Sequence, residues 1–393
     1  MISFDEALSR ALGAARPLPS ERTGLARALG RVLAGEVHAD MDLPPFDRAI
    51  VDGYACRRAD LSGPLRIVET IAAGRPPTAS IGSGECAKIM TGAMIPAGAD
   101  CVFMVEQSEA TGADMVRFTG VATNDNIARR ASDVKAGDRL LVPGMLIGPP
   151  EIAVLASMGI PEPLVARKPR VTIIATGDEL VEPGERPSLS QIRNSNGYQL
   201  IAQAAAMGLD PIYGGIARDT DHDLDTVLGR AFAESDVVLL SGGVSMGDFD
   251  LVPAALKRQG VEILFDKIAI QPGKPTVFGR SDSVFCFGLP GNPISTFCIF
   301  ELLVKPFLHK LMGHDHVPPT VVAPLAELFR RKSPSRKAWV PIKLRADGTV
   351  ARMDYHGSGH VNALAGADGL VAFPEGVAEM AEGTPVAVRL IRH

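Results

Sequence analysis

The sequence predicts a multidomain α/β protein organised around one doubly wound α/β domain, and three observations carry that prediction. Its 393 residues exceed the size at which a single hydrophobic core keeps growing. Between residues 169 and 313, strand-like and helix-like segments alternate, beginning at "RVTIIATG" and closing on a helix from about Ile294 to Met312. On either side the texture changes, to Gly- and Pro-punctuated apolar runs before that stretch and to short strands after it.

Taken in order, Ser3 followed by Glu6 is a capping box that opens an amphipathic helix, and "TGLARALGRVLAGEV" reads as a second helical segment running into extended chain. Residues 43–137, with runs such as "LRIVETIAAG" and "DMVRFTGV", read as a β-rich insertion. Residues 138–168 turn helical again at "GPPEIAVLASMGI", so 1–42 and 138–168 are expected to form one discontinuous helical domain. In the α/β stretch, "VVLL" is apolar on both faces, as strands of a helix-covered parallel sheet are. Leu224, Val227, Leu228, Ala231 and Phe232 fall at helical spacing and form the stripe that would cover such a sheet. Residues 314–393, with "AWVPIKLR", "GLVAFP" and "TPVAVRLI", predict a small C-terminal β domain of barrel type. No internal repeat or low-complexity tract is visible.

Composition narrows the function. A chain that is 46% hydrophobic and 22% charged is an ordinary globular one, and a net charge of −5 without a basic run argues against nucleic acid or an anionic membrane as partner. The N-terminus has no basic start or apolar leader, and no apolar stretch has the length of a membrane span. Five scattered cysteines (Cys56, Cys86, Cys101, Cys286, Cys298) without a CxxC pair fit buried thiols in a reducing cytoplasm.

In open α/β sheets, ligands bind beyond the carboxyl ends of the strands. Four candidate loops fall there: "ATGDELVEPG", "SGGVSMGDFD", "IQPGKP" and "GLPGNPIS". Gly242, Gly243 and Gly291 would let backbone amides approach a phosphate, and Ser241 and Ser245 add hydroxyls. Glu179, Asp248 and Asp250 are hard oxygen ligands suited to Mg²⁺, and Lys274 supplies a point charge. Carboxylates beside a phosphate-type loop call for a cation between them, so the constellation reads as a metal-clamped pyrophosphate-like group. Asp52 and Thr91 sit in turn-like segments. His314 and His316 in "GHDHV" lack a clear third ligand and read as a solvated helix exit. The basic stretch 330–337 reads as a solvated loop, and His356 and His360 flank a Gly-Ser-Gly turn without an identifiable catalytic partner.

In order along nearly the whole chain, "FDRAIVDGYA", "IMTGAMIPAGAD", "TGDELVEPG", "RNSNGYQL", "SGGVSMGDFD", "PGKP", "LPGNPIS" and, more weakly, "ADGLVAFPEG" resemble the MoeA family of molybdopterin molybdenumtransferases, shared with the E-domain of gephyrin-type proteins. The resemblance implies a MogA-like α/β domain at 169–313 and a four-domain homodimer with 1–42 and 138–168 as linking and dimerisation domain. It also implies a cytoplasmic enzyme that takes adenylylated molybdopterin and molybdate, cleaves the adenylate with Mg²⁺ and leaves molybdenum on the pterin. Its partners would be a MogA-type adenylyltransferase and apo-molybdoenzymes. Carried over by position, the acidic and hydroxyl site residues are Asp52, Thr91, Asp133, Glu179, Asp219 and Asp250, with Asp248 varying between acids. Lys274, Pro290, Gly291, Asn292, Pro293 and Ser295 fall in loops around molybdate and pterin phosphate.

Departures from the family pattern fall mainly on charges. Gln271 stands where members often carry Lys, Ala131 and Ser132 replace Gly and Glu, and Pro341 replaces an Arg, although Arg336 is kept. Two other readings remain open on sequence: a MogA-type adenylyltransferase, and a non-catalytic scaffold. Retention of the full acidic set counts against the scaffold.

Overall fold

The computed structural model describes residues 1–244, 251–354 and 357–391. By internal contacts the chain divides into two compact units: Met1–Ala34, Pro143–Gly148 and Pro163–His393 form one, and Gly35–Val142 with Pro149–Glu162 the other. No described helix is long and apolar enough to cross a membrane.

The chain starts with a short strand, β1 (Ile2–Ser3), and helix α1 (Phe4–Ala14). Ser3 caps α1 by accepting a hydrogen bond from the Glu6 amide at 3.1 Å, the capping-box half that the sequence predicts. Phe4, Ala7 and Ala11, one face of α1, are buried in the same core as the α/β sheet of the larger unit. The second helix expected over 23–37 does not form: only a 3-10 turn at Leu25–Arg27 does. Gly30 takes φ +74°, its amide donates to the Ile147 carbonyl, and Val32 and Leu33 form bridges with Leu146 and Val165. Long-range pairing overrides helix propensity here.

The smaller unit holds a six-stranded sheet of β2 (Gly53–Cys56), β3 (Pro64–Ile71), β4 (Glu85–Ile89), β5 (Cys101–Met104), β6 (Ser108–Gly112) and β7 (Met115–Phe118), in the order β5-β2-β4-β3-β7-β6. It also contains α2 (Pro149–Ser157), inside the segment read as helical.

In the larger unit, β8 (Val171–Thr176), α3 (Asn196–Ala206), β9 (Ile212–Ala217), α4 (Asp221–Glu234), β10 (Val237–Ser241), α5 (Val252–Arg258), β11 (Glu262–Phe265), β12 (Ile268–Gln271), β13 (Val277–Arg280) and β14 (Phe285–Leu289) follow one another. The sheet order is β9-β8-β10-β14-β13-β11, parallel through β14 and antiparallel at β13 and β11. Alternate residues feed opposite cores. Ile173, Val237, Leu239 and Phe287 pack with α3, whereas Ile174, Val238, Leu240 and Cys286 pack with α4 and α5. Leu224, Leu228 and Ala231 of the predicted stripe are buried there, and Val227 and Phe232 flank them. At the amino edge of the sheet, Asp236 accepts from both Arg167 Nη atoms (2.8 and 3.0 Å) and from the Arg170 amide (2.8 Å).

The long C-terminal helix forms in two parts, α6 (Pro293–Ile299) and α7 (Lys305–Leu311), joined by a π turn at Phe300–Val304. Pro306 has no N–H to continue the ladder, and the Arg389 guanidinium donates to the Glu301 carbonyl at that point. The chain ends in β15 (Thr320–Pro324), β16 (Lys337–Leu344), β17 (Val350–Arg352), β18 (Gly369–Phe373) and β19 (Pro385–Leu390). These strands share a seven-stranded sheet with β1 and β12, in the order β1-β12-β16-β18-β19-β15, with β17 beside β16.

Candidate functional site

The strand order places a switch point between β8 and β10, because β8 leads by α3 to β9 on one side while β9 returns by α4 to β10 on the other. A crevice is expected at the carboxyl ends of those two strands. A cavity of about 590 Å³ lies there, walled by Gly177 and Glu179 after β8, Asp219 after β9, Ser241, Gly242, Gly243 and Val244 after β10, and Pro290, Gly291, Asn292 and Pro293 after β14. Ser245, Asp248 and Asp250 lie outside the described residues.

Two glycines shape the floor. Gly242 has φ +106°, and a Cβ there would lie 2.4 Å from the Thr176 carbonyl oxygen; its amide is already donated to the Leu289 carbonyl at 3.0 Å. Gly242 thus seats the loop between neighbouring strand ends and has no amide left for a ligand, which corrects the expectation from sequence. The Gly243, Gly291 and Asn292 amides make no hydrogen bond among the described residues. Gly177 leaves room for the Glu179 carboxylate: a Cβ on Gly177 would fall 2.4 Å from Glu179 Oε2. Asp178 and Asp219 exchange hydrogen bonds, each amide donating to the other's carboxylate at 3.3 and 3.2 Å.

Asn196, at the start of α3, is a residue that sequence reasoning missed. Its Nδ2 donates to Ser241 Oγ (2.9 Å) and to the Gly291 carbonyl (2.7 Å), tying the β10 and β14 loops together, while its Oδ1 is buried without a partner among the described residues. The motif "RNSNGYQL" contained it, but nothing in the sequence separates Asn196 from Asn194. Asn194 has a different task, accepting from the Gly197 amide and donating to the Tyr213 hydroxyl. Arg193 also lines the cavity, and its Nε donates to the Glu185 carbonyl at 3.1 Å. Ser358 accepts from Asn292 Nδ2 at 2.8 Å, and its carbonyl accepts from the Ile294 amide, so part of the C-terminal Gly-Ser-Gly turn joins the rim.

Other expected residues sit elsewhere. Ser295 is buried in the first turn of α6 and does not line the cavity. Lys274 is exposed; its neighbour Pro275 reaches the wall, whereas β12, which carries Gln271, belongs to the C-terminal sheet. Arg336 Nη1 donates to the Ile270 carbonyl at 3.2 Å, placing this cation beside the strand that carries Gln271. Pro341 is buried within β16 opposite Leu370.

In the smaller unit, Thr91 donates both its amide and its hydroxyl to Asp52 Oδ1 at 2.7 Å each. Those two bonds, the amide first, hold the Asp52 carboxyl below the usual carboxylate range. Asp133 follows Ala131, which takes φ +60°, and accepts from Ser132 Oγ at 3.1 Å.

Family models cover most of the chain. The MoeA N-terminal region (domains I and II) matches residues 2–159, a probable molybdopterin binding domain matches 172–310, and the MoeA C-terminal region (domain IV) matches 323–391. The molybdopterin molybdenumtransferase of Staphylococcus aureus (strain Mu50) is 36% identical over 388 residues, covering 95% of this chain and 92% of that protein. Its namesake from Staphylococcus epidermidis (strain RP62A) is 35% identical, covering 99% and 95%. Among solved structures, two of the molybdopterin biosynthesis MoeA protein from Pyrococcus horikoshii superpose with TM-scores of 0.83 and 0.85 at 32% and 30% identity, each covering at least 99% of both chains.

Proposed function

Because this chain belongs to the MoeA family, we propose that it is a molybdopterin molybdenumtransferase of molybdenum cofactor biosynthesis, which takes adenylylated molybdopterin and molybdate, releases AMP and leaves molybdenum on the pterin dithiolene. The observation that carries this reading is the cavity at the β8/β10 switch point, where Glu179 and Asp219 share the lining with Gly243, Gly291 and Asn292, whose amides have no hydrogen-bond partner among the described residues. Such a wall suits a polyanion bridged to protein by a hard cation.

The carboxylates fit Mg²⁺: Glu179 has no ion-pair partner among the described residues and stands in the space that Gly177 leaves open. Glu179 would hold the ion with Asp248 and Asp250, and Mg²⁺ bound there supplies neutralisation of phosphoanhydride charge. The chain's own residues do the rest. Asn196 fixes two phosphate-facing loops at one spacing, the amides donate to phosphate oxygens, and Arg193 adds a positive charge to the lining. Cleaving a phosphoanhydride needs positioning and charge stabilisation more than a strong nucleophile, and this donor set provides both. Asp52, Thr91, Asp133, Asp219, Lys274 and Arg336 are assigned to the molybdate and pterin ends of the same reaction, in a cytoplasmic homodimer that delivers its product to apo-molybdoenzymes.

The test is to incubate the protein with adenylylated molybdopterin, Mg²⁺ and molybdate and to follow AMP and the reconstitution of an apo-molybdoenzyme. Both should appear, and only with all three present. Binding of the pterin without AMP release would overturn the enzyme reading in favour of a scaffold. For the dimer, mixing Asp52→Ala with Glu179→Ala subunits should regenerate activity if the site is composite; no recovery would place both halves in one subunit.

A further inference from the structure

Helix α7 ends in histidines that the proposed reaction does not use. His309 lies in its last turn, and His314 and His316 follow in the exit segment. One ring nitrogen from each lies within 4.8 Å of the others. The His309 and His316 rings stack at 4.6 Å, and His309 meets His314 edge-on at 5.1 Å. From sequence, His314 and His316 lack a third ligand. The fold supplies it from five residues upstream of His314, where a helical position gave no signal.

Two further observations point to a ligand. His309 is 8% exposed, and its Nδ1 is buried with no hydrogen-bond partner among the described residues, a rare condition for a polar atom. His314 Nδ1 faces the Gly144 carbonyl at 2.8 Å. A carbonyl only accepts, so that nitrogen carries the proton and Nε2 keeps its lone pair, the arrangement by which a backbone carbonyl orients metal-bound histidines. A cavity of about 150 Å³ adjoins them, bounded by His314, Asp315, His316 and Lys310. The two nearby ammonium groups are each matched by a carboxylate, Lys305 with Glu301 (3.1 Å) and Lys310 with Asp315 (2.6 Å).

We propose that His309, His314 and His316 form a binding site for a divalent transition-metal ion, Zn²⁺ in the first instance, separate from the carboxylate cavity. Neutral imidazoles select zinc-like ions over Mg²⁺, which prefers oxygen. Tetrahedral Zn–N bonds of about 2.0–2.1 Å require the nitrogens to draw in to roughly 3.4 Å of one another. His316 stands on an exit segment flanked by exposed Asp315 and Val317, so it can make that move. Three histidines leave a fourth position for water. Binding would pin the end of α7 to the chain leading into β15 and to the Gly144 segment, a structural role.

The experiment uses the full chain without a purification tag, stripped with chelator and then saturated with Mg²⁺ to occupy oxygen sites. Zn²⁺ is titrated by calorimetry, and Co²⁺ by the visible d–d bands of a four-coordinate nitrogen site. One equivalent per chain should bind with micromolar or tighter affinity and raise the thermal midpoint. His314→Ala and His316→Ala, at partly exposed positions, should each fold normally by circular dichroism and lose more than about tenfold in affinity, the loss that even an outer-shell change produces. Absence of stoichiometric Zn²⁺ binding in the presence of Mg²⁺ overturns the proposal, and so does Zn²⁺ binding that both variants leave unchanged.

Discussion

Replacing Asp236 by Asn tests the foundation of the α/β sheet without touching the cavity at its opposite edge. Burial by itself pushes the Asp236 carboxyl up, but the Arg167 side chain and the Arg170 amide and side chain more than offset it, holding the carboxyl at about 2 against an ordinary 3.8. Its side chain is 12% exposed, so solvent screens the interaction little. The difference corresponds to roughly 2 kcal/mol of native-state stability at neutral pH. Because the folded value is depressed, that contribution is complete above about pH 5, falls to about half at pH 3 and vanishes below the folded value. Peptide-resolved hydrogen exchange over 171–176 and 237–241 at pH 7 should show exchange through unfolding accelerated roughly thirtyfold in Asp236→Asn. Urea unfolding at pH 7 and pH 3 should show the gap between wild type and variant narrowing with acid. Acceleration under threefold, or a gap independent of pH, would refute the assignment of this stability to the ionised clamp.

Glu179→Gln should slow AMP release by roughly 10²–10³-fold while pterin affinity stays near wild type, because a metal ligand acts on charge that develops in the transition state; equal losses in both would make Glu179 a binding residue. Ala131→Gly should stabilise the smaller unit by about 0.5–1 kcal/mol, read as slower exchange over 127–134, since Ala pays a steric penalty at φ +60° that Gly avoids; destabilisation would show that the side chain makes a compensating contact. Gln271→Lys should lower the molybdate requirement roughly ten- to hundredfold, the worth of one charge-assisted hydrogen bond of roughly 1.5–3 kcal/mol, and Lys274→Ala should raise it. Should Gln271→Lys change nothing while Lys274→Ala abolishes pterin binding, the loop serves the substrate phosphate.

The α/β domain and helix α1 were legible because their signals are local: strands apolar on both faces, the Leu224–Leu228 stripe and the Ser3 cap each declare themselves within a few residues. The segment 23–37 misled for the complementary reason. Its leucines and alanines favour a helix, yet Gly30 at φ +74° and pairing with residues more than a hundred positions away decide its shape. Strand β12 was equally hidden, since "IAIQ" reads like one more strand of the α/β sheet and only its partners reveal that it belongs elsewhere. At the site, glycines and acids stood out by residue type. Asn196 and Arg193 did not, because what distinguishes them is position at a junction of loops, and Gly242 was misjudged because its amide is spent on a neighbouring strand.

The parallel pairing of Ile2 with Ile268, and of Ile270 with Lys337, sets an order of events during synthesis. At roughly 5–20 residues per second, the ribosome needs about 15–50 s after making Ile2 to make its partner. Throughout that interval α1 has its cap but not the core that Phe4, Ala7 and Ala11 will enter, so its apolar face waits uncovered on the nascent chain. Helix α1 is thus made well before the strand that holds it in place.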